Sequence, residues 1–331
     1  MNSSVKKLTE AAILSSAFII ITMIALSTGI GYGLYLDFGV PIIFALIYFR
    51  CEFKYTLMCG VSSVVLILFV MGNFAAAILV SQSFLIGILC GYLISRSSQF
   101  FDDLYLGAVA GVVFMVLVDI YARNIVGYSF MQEFNGYIKY FKGNPEFAQV
   151  NFQLMYYLLI AIFPFGMVFS IYILALMCGK RLRILNENGK RKYFMMRSLR
   201  SYGSFMIIRK QAFYISLVYI ALVEILNIKG ISLGNVYLKT IVNCVQYLSY
   251  YFVFRDCHVI IGNFINIKFK KRSFNLLYFA ITMTLLLSVF RITVLVYSII
   301  AIFMDKKFNV REKQDYIVKT HTDELMAVYK K

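Results

Sequence analysis

Ionisable side chains inside apolar runs are the residues of this chain best suited to chemistry, because a charge at membrane depth is costly unless it has a partner or a task. Glu224 and Lys239 lie on either side of a turn near Lys229 and Gly230. Two antiparallel helices joined there would hold them at comparable depth. We predict an intramembrane ion pair, which serves either as a salt bridge between the helices or as a substrate or proton site.

A second polar group is typical of a ligand site. Asp119 and Arg123 are four residues apart, which places them on one face of a helix near its outer end. With Asn124, and with Gln82 from the preceding span, they form the predicted ligand-binding site. Arg123 can offer a planar fork to a carboxylate and Asp119 can accept from an amine, which indicates a small polar or zwitterionic ligand. The alternative is that Asp119 and Arg123 only neutralise each other.

The sequence lacks the common catalytic signatures. It contains no P-loop, HExxH or GxSxG motif and no cluster of carboxylates. His258 and His321 are far apart in sequence, and the six cysteines show no paired spacing typical of metal or redox sites, so we predict free thiols. We therefore predict that the protein is not an enzyme and uses no metal and no cofactor.

Composition places these residues in a membrane protein. The chain has 331 residues, of which 61% are hydrophobic and 15% are charged. A soluble domain of this length could not bury so much apolar surface. The apolar runs lack the two-residue alternation of barrel strands, so we predict an all-α polytopic fold. The net charge of +17 lies in short segments beside these runs, which favours anionic lipid over nucleic acid as the partner.

One long basic segment divides the chain and predicts its orientation. Such a loop is held on the cytoplasmic side, so the N-terminus is also cytoplasmic if six spans precede it. The absence of Trp and the wealth of Ile, Lys, Tyr and Asn suit the cytoplasmic membrane of a bacterium. The predicted spans before the loop are 8–30, a short one at 38–49, 55–72, 74–94, 104–125 and 152–177.

The second half leaves one alternative open. After spans 212–228 and 231–254, an apolar run of 274–303 is either one tilted span or a hairpin that turns near Arg291. A single crossing would place the basic residues that follow it outside, so the positive-inside rule favours the hairpin. The tail after Lys306 has mixed charge and is predicted to be at most partly ordered.

Two further features concern helix geometry. Pro164 removes a backbone hydrogen bond in the sixth span and predicts a kink. Within the basic loop, apolar residues recur at helical spacing, which predicts an amphipathic helix that rests on lipid or binds a partner. The polar face of that helix comprises Arg191, Lys192, Arg197 and Arg200.

The predicted organisation has four parts. Residues 1–178 form a six-helix unit and residues 179–211 form the basic cytoplasmic loop with its amphipathic helix. Residues 212–304 form a C-terminal bundle of three or four transmembrane helices, and residues 305–331 form a cytoplasmic tail.

Several segments resemble a known group of proteins. The stretch from Leu8 to Ala12 and the stretch from Pro41 to Arg50 resemble the six-helix substrate-binding (S) components of energy-coupling-factor vitamin transporters. Over most of its length the chain is similar to YybS-type bacterial membrane proteins, an uncharacterised family related to those components. In that family a glycine follows the glutamine that corresponds to Gln246, whereas this chain has Tyr247 there. We therefore assign no function to Gln246 or Tyr247 from the resemblance. The second half contributes Phe163-Pro164, the basic loop, Asn235, Gln246, Asp305 and Asn309-Val310-Arg311.

The resemblance implies a module that captures a small molecule, followed by extra helices. The sequence contains no ATPase motif, so energy for uptake would come from other membrane or ATPase subunits. The competing hypothesis is a scaffold or regulatory protein that transports nothing and binds a cytoplasmic or membrane partner. A cavity between the outer ends of the first six helices would favour the first hypothesis, and a fully packed interior with an exposed apolar groove would favour the second.

Overall fold

The computed structural model describes residues 3–29, 32–142, 151–230 and 234–330, and within these ranges the chain is helical with no strand. This confirms the predicted all-α fold. Short turns at Tyr35–Gly39 and Gly203–Phe205 join some of the helices. The helices are α1 (Ser3–Thr28), α2 (Tyr32–Leu34), α3 (Val40–Met71), α4 (Phe74–Ser95), α5 (Phe100–Val126), α6 (Phe130–Lys142), α7 (Phe152–Arg181), α8 (Glu187–Arg197), α9 (Leu199–Tyr202), α10 (Lys210–Ile228), α11 (Val236–Phe269), α12 (Arg272–Phe308) and α13 (Val310–Lys330).

Seven helical segments in the described residues are long and apolar enough to cross a membrane. They include α1, α4, α5, α7 and α10. The other two are the long segments Tyr35–Met71 and Ser273–Phe308. Backbone groups in lipid must be satisfied within the helix itself, and these segments meet that requirement. The protein is therefore an integral, multi-pass membrane protein.

The first long segment is a helical hairpin. Its corner is Glu52, whose φ of 66° breaks the helix. On one turn of α1, Phe18 packs against Phe44 at 4.9 Å between ring centroids, and Ser15 shares a 2.8 Å hydrogen bond with Ser63. In a straight helix Phe44 and Ser63 would lie about 28 Å apart. The two arms therefore run antiparallel, which confirms the two separate helices predicted at 38–49 and 55–72.

The second long segment, α12, folds back in the same way. Val289 has non-helical angles (φ −143°, ψ 61°). Thr282 Oγ1 and Tyr297 OH, 15 residues apart in sequence, are hydrogen bonded at 2.7 Å, whereas a straight helix would separate them by about 22 Å. Thr293 Oγ1 also donates to the carbonyl of Leu285 at 3.0 Å. The predicted hairpin is confirmed, with its corner two residues before Arg291.

The described chain divides into two compact units. Unit 1 comprises Met1–Ser98, Leu106–Tyr193 and Asn235–Val245. Unit 2 comprises Gln99–Tyr105, Phe194–Gly234 and Gln246–Lys331. Unit 1 holds most of the predicted six-helix unit together with the first part of the basic loop. The rest of that loop, the C-terminal helices and the tail belong to unit 2.

Close helix packing defines the core of unit 1. The rings of Phe18, Phe44 and Phe84 stack edge to face in series, with successive centroids 4.9 Å apart. Phe84 lies directly on Gly60, where a Cβ atom would come within 1.9 Å of the ring. Only glycine allows α3 and α4 to approach this closely, and loss of that approach would open the core.

Lys192 does not lie on the polar surface predicted for the basic loop. It is 2% exposed, and its ammonium donates to the carbonyls of Leu93 and Arg96 and to Ser98 Oγ. These carbonyls end α4, and a cation there satisfies unpaired acceptors and complements the helix dipole. The prediction for Lys192 is therefore wrong, because the amphipathic pattern cannot tell a face that meets lipid from one that caps a neighbouring helix.

The C-terminal tail is helical. The prediction of a partly ordered tail is wrong, because Asn309 takes a left-handed conformation (φ 49°) that ends α12 and lets α13 begin. Within unit 2, Asp315 accepts a 2.6 Å hydrogen bond from Gln99, and the ring of His321 stacks on Tyr202 at 4.0 Å. Burial of Val318 in addition makes the helix part of the unit.

Candidate functional site

A cavity of about 360 Å³ lies in unit 1 between α4, α5, α7 and the connection from α5 to α6. Its wall is almost entirely alkyl and aromatic. Two of the predicted ligand-binding residues, Gln82 and Asp119, line it, and they come from neighbouring helices as expected. The remaining lining residues are Ala75, Ile78, Leu79, Met115, Val118, Ala122, Val126, Tyr128, Phe130, Met131 and Phe163.

Asp119 also anchors α6. The side chain is buried, with 8% exposed, and its two oxygens accept from Ser129 Oγ at 2.6 Å and from the backbone N–H of Phe130 at 2.8 Å. Ser129 Oγ in turn accepts from the N–H of Gln132 at 3.2 Å, as an N-capping serine does. The carboxylate is thus engaged by the first turn of α6 and not by Arg123.

Arg123 and Asn124 are exposed and do not line the cavity. Their predicted part in a ligand site therefore stays a prediction that this cavity does not support. Arg123 instead lies beside Gln132 of α6, whose amide oxygen can accept from the guanidinium at 2.7 Å. Ala122 and Val126, on either side of Arg123 in sequence, both line the cavity, so Arg123 is kept out by the side of α5 that it occupies, which faces α6.

Gln82 is the polar residue of the wall that keeps hydrogen-bonding capacity. Its amide makes no hydrogen bond within the described structure and lies among apolar side chains. Tyr128 contributes to the wall, but its hydroxyl donates to Glu133 at 2.5 Å. A bound molecule would therefore meet an apolar surface with one amide that can both donate and accept.

Pro164 supports the wall from α7. It follows the lining residue Phe163 and packs on α5 at Gly111, where a Cβ atom would lie 3.1 Å from the proline ring. Helix α7 extends through Pro164 from Phe152 to Arg181. The kink stays a prediction, and the structure shows a close contact between Pro164 and α5.

Glu224 has a different cationic partner from the one predicted. In unit 2 its carboxylate accepts from Gln246 Nε2 at 2.8 Å, Tyr250 OH at 2.7 Å and Arg291 Nη1 at 3.1 Å. Arg291 thus takes the place predicted for Lys239, which belongs to unit 1. The turn of α12 at Val289 carries Arg291 to Glu224, a contact between residues too distant in sequence for spacing to reveal.

A buried charge network in unit 2 escaped sequence reasoning. Asp256 is fully buried and contacts Arg255 at 3.2 Å and Arg311 at 3.4 Å. It also accepts from the N–H of Ile208 at 2.9 Å. Arg311 meets Asp305 at 3.7 Å, so the segment Asp305 to Arg311 is part of this network. The adjacent opposite charges of Arg255 and Asp256, directly after an apolar run, were the available signal.

Aromatic rings complete the network. The guanidinium of Arg255 lies 3.4 Å from the ring centroid of Phe101, and that of Arg311 lies 4.1 Å from that of Phe213. Cations over ring faces gain electrostatic energy when water is excluded. The arrangement joins α11, α13 and the start of α10 within unit 2, which is typical of a structural core.

No protein-family model, curated protein or solved structure matches this chain at a significant level.

Proposed function

We propose that unit 1 captures a small, largely apolar molecule in the cavity, as the binding subunit of an uptake system whose energy comes from other membrane or ATPase subunits. The single observation that carries this proposal is the cavity itself, which lies where a ligand site was expected from Gln82 and Asp119. A volume of about 360 Å³ falls within the range of small-molecule sites in proteins. A scaffold would need no such space.

The wall chemistry sets the ligand class. Both oxygens of Asp119 are bound to α6, and Arg123 lies outside the cavity, so the wall offers no free ion pair for a zwitterion. An apolar ligand with one hydrogen-bonding group suits the alkyl and aromatic lining and the amide of Gln82. This replaces the polar or zwitterionic ligand expected from the sequence.

The position of the cavity supports capture from outside. Its residues from α4 and α5 lie toward the helix ends remote from Lys180 and Arg181 at the end of α7. If the basic loop is cytoplasmic, as the positive-inside rule predicts, the cavity belongs to the outer half of the bilayer. The resemblance to S components supports the same direction of binding.

A partner surface completes the proposal. Arg197 and Arg200 are exposed in unit 2 and present positive charge from the basic loop. In the proposed uptake system they contact anionic lipid or an acidic surface of the energising subunit. Arg191 is half-buried and directly precedes Lys192, which caps the end of α4.

The test fills the cavity without changing the fold. Ala122→Phe places a ring in the wall, and Leu117→Phe adds bulk at an exposed position of the same helix as the matched control. We expect thermal-shift screening of the purified protein against an apolar metabolite panel to find a ligand that stabilises the parent and Leu117→Phe but not Ala122→Phe. Equal stabilisation of all three proteins would overturn the proposal.

A further inference from the structure

Arg291, at the corner of α12, has a guanidinium that is only partly engaged in hydrogen bonds. Arg291 donates through Nη1 to Glu224, and its side chain is 61% exposed. Glu224 is already bound by Gln246 and Tyr250, so its position does not depend on Arg291 alone. Among the described contacts the remaining N–H groups of Arg291 have no acceptor.

The surface around Arg291 is apolar. Leu287 is 88% exposed, Ile292 is 59% exposed and Leu295 is 46% exposed. Exposed aliphatic side chains on a membrane helix meet lipid chains. Glu224 engages only Nη1 of this guanidinium, so its other N–H groups can take a second anionic partner from the same environment.

The depth of the corner identifies that environment. The first arm of α12 rises from Arg272 to Val289, about 25 Å, which is close to the thickness of the hydrocarbon core. The exposed Lys270 and Lys271 mark the opposite boundary. Arg291 consequently lies within a few ångströms of the far headgroup layer, a distance that its own side chain can span.

We propose that Arg291 binds the phosphate of one phospholipid, whose acyl chains lie along Leu287, Ile292 and Leu295. A guanidinium binds phosphate through paired, charge-assisted hydrogen bonds, and its unused N–H groups suit that geometry. Glu224 acts as a positioning residue, because it holds the guanidinium at the corner by the other edge. This site lies in unit 2 and is independent of the cavity in unit 1.

The test separates the phosphate from the acyl chains. Thermal unfolding of the purified full-length protein in detergent is measured with dioctanoylphosphatidylglycerol and with dioctanoylglycerol, which has the same chains and no phosphate. We expect the phospholipid alone to raise the Tm of the parent. In Arg291→Gln the apparent affinity should fall at least tenfold, whereas Lys271→Gln, which lies just before α12 at the opposite end of its first arm, should behave as the parent.

A second variant covers the case in which Arg291→Gln does not fold. Leu287→Glu introduces an acid at a highly exposed position near the corner, where it should repel the phosphate without disturbing packing. Loss of the phospholipid shift in this variant supports the site. The proposal is overturned if dioctanoylglycerol stabilises the parent equally, or if both corner variants keep the affinity of the parent.

Discussion

At the scale of single residues, the charges of unit 2 illustrate that the contribution of a charged group to stability depends on its burial. Asp256 is fully buried between two arginines, each of which also rests on an aromatic ring. Burial of such a group costs several kcal/mol, and only its partners offset the cost. The exposed acid Glu312 on α13 has no such constraint.

Removal of the Asp256 carboxylate is therefore expected to destabilise the protein strongly. Asp256→Ala leaves Arg255 and Arg311 buried without their shared carboxylate, and we expect a loss of about 3–5 kcal/mol of unfolding free energy. Glu312→Ala should lie within about 0.5 kcal/mol of the parent. Reversible unfolding in mixed micelles measures both, and equal stability of the two variants would show that the network contributes nothing.

At the scale of elements, α6 is joined to α5 through a few hydrogen bonds. Asp119 binds the first turn of α6, and Tyr128, Phe130 and Met131 from this junction form part of the cavity wall. The position of α6 and the shape of the cavity thus depend on the same carboxylate.

Asp119→Ala should release that junction. The variant loses the two charge-assisted hydrogen bonds that Asp119 accepts from Ser129 Oγ and from the N–H of Phe130, worth about 1–2 kcal/mol locally, while Ser129 still caps the helix. We expect faster hydrogen exchange in residues 128–138, with the other helices of unit 1 unchanged. Arg123→Ala, which leaves the bonds of Asp119 intact, serves as the control. If exchange in α6 is the same in all three proteins, Asp119 does not hold the helix.

At the scale of the whole molecule, the basic loop predicts the orientation. If the six predicted spans before Lys180 all cross the membrane, the N-terminus and this loop lie on the same side, and the positive-inside rule predicts that this side is the cytoplasm. The native cysteines interfere little, since five are buried and only Cys178 is partly exposed.

Cysteine labelling tests this orientation. In a Cys178→Ser background, Tyr137→Cys in α6 and Leu182→Cys after α7 both replace exposed side chains. We expect a membrane-impermeant maleimide to label Tyr137→Cys in intact cells and Leu182→Cys only after the inner face is opened. The reverse pattern, or labelling of both from outside, would contradict the predicted topology.

Much of the fold could be predicted from the sequence because its signals are local. Apolar runs of membrane length predicted the positions of the helices. The basic residues after Phe303 predicted a hairpin, because a single tilted span would place them outside. Sites were harder because they depend on contacts distant in sequence. Glu224 was recognised, but Arg291 reaches it only through the turn at Val289. Lys192 belongs to the basic loop and Asp256 lies just after the predicted span 231–254. Both were missed as buried groups because charges in such positions usually face solvent or lipid headgroups.

The cavity could be predicted only in part for a related reason. Polar residues can be read from the sequence, so Gln82 and Asp119 were found, but empty space depends on how side chains from several helices meet. The apolar lining residues Phe163 and Met131 look like ordinary core residues in sequence. Their contribution to a ligand site became visible only in the folded unit.

The hairpin of α12 has a consequence for biogenesis. Its leading corner must carry the charge of Arg291 through the hydrocarbon core, at whose centre insertion scales disfavour an arginine by about 2.5–3.5 kcal/mol. Glu224 of α10, with Gln246 and Tyr250 of α11, precedes the corner in the chain and is synthesised first. The earlier helices thus present a docking site for the charge when α12 leaves the ribosome. Insertion of the last hairpin should accordingly depend on helices that are already in the membrane. Loss of Glu224 in α10 would then appear as impaired membrane insertion of α12.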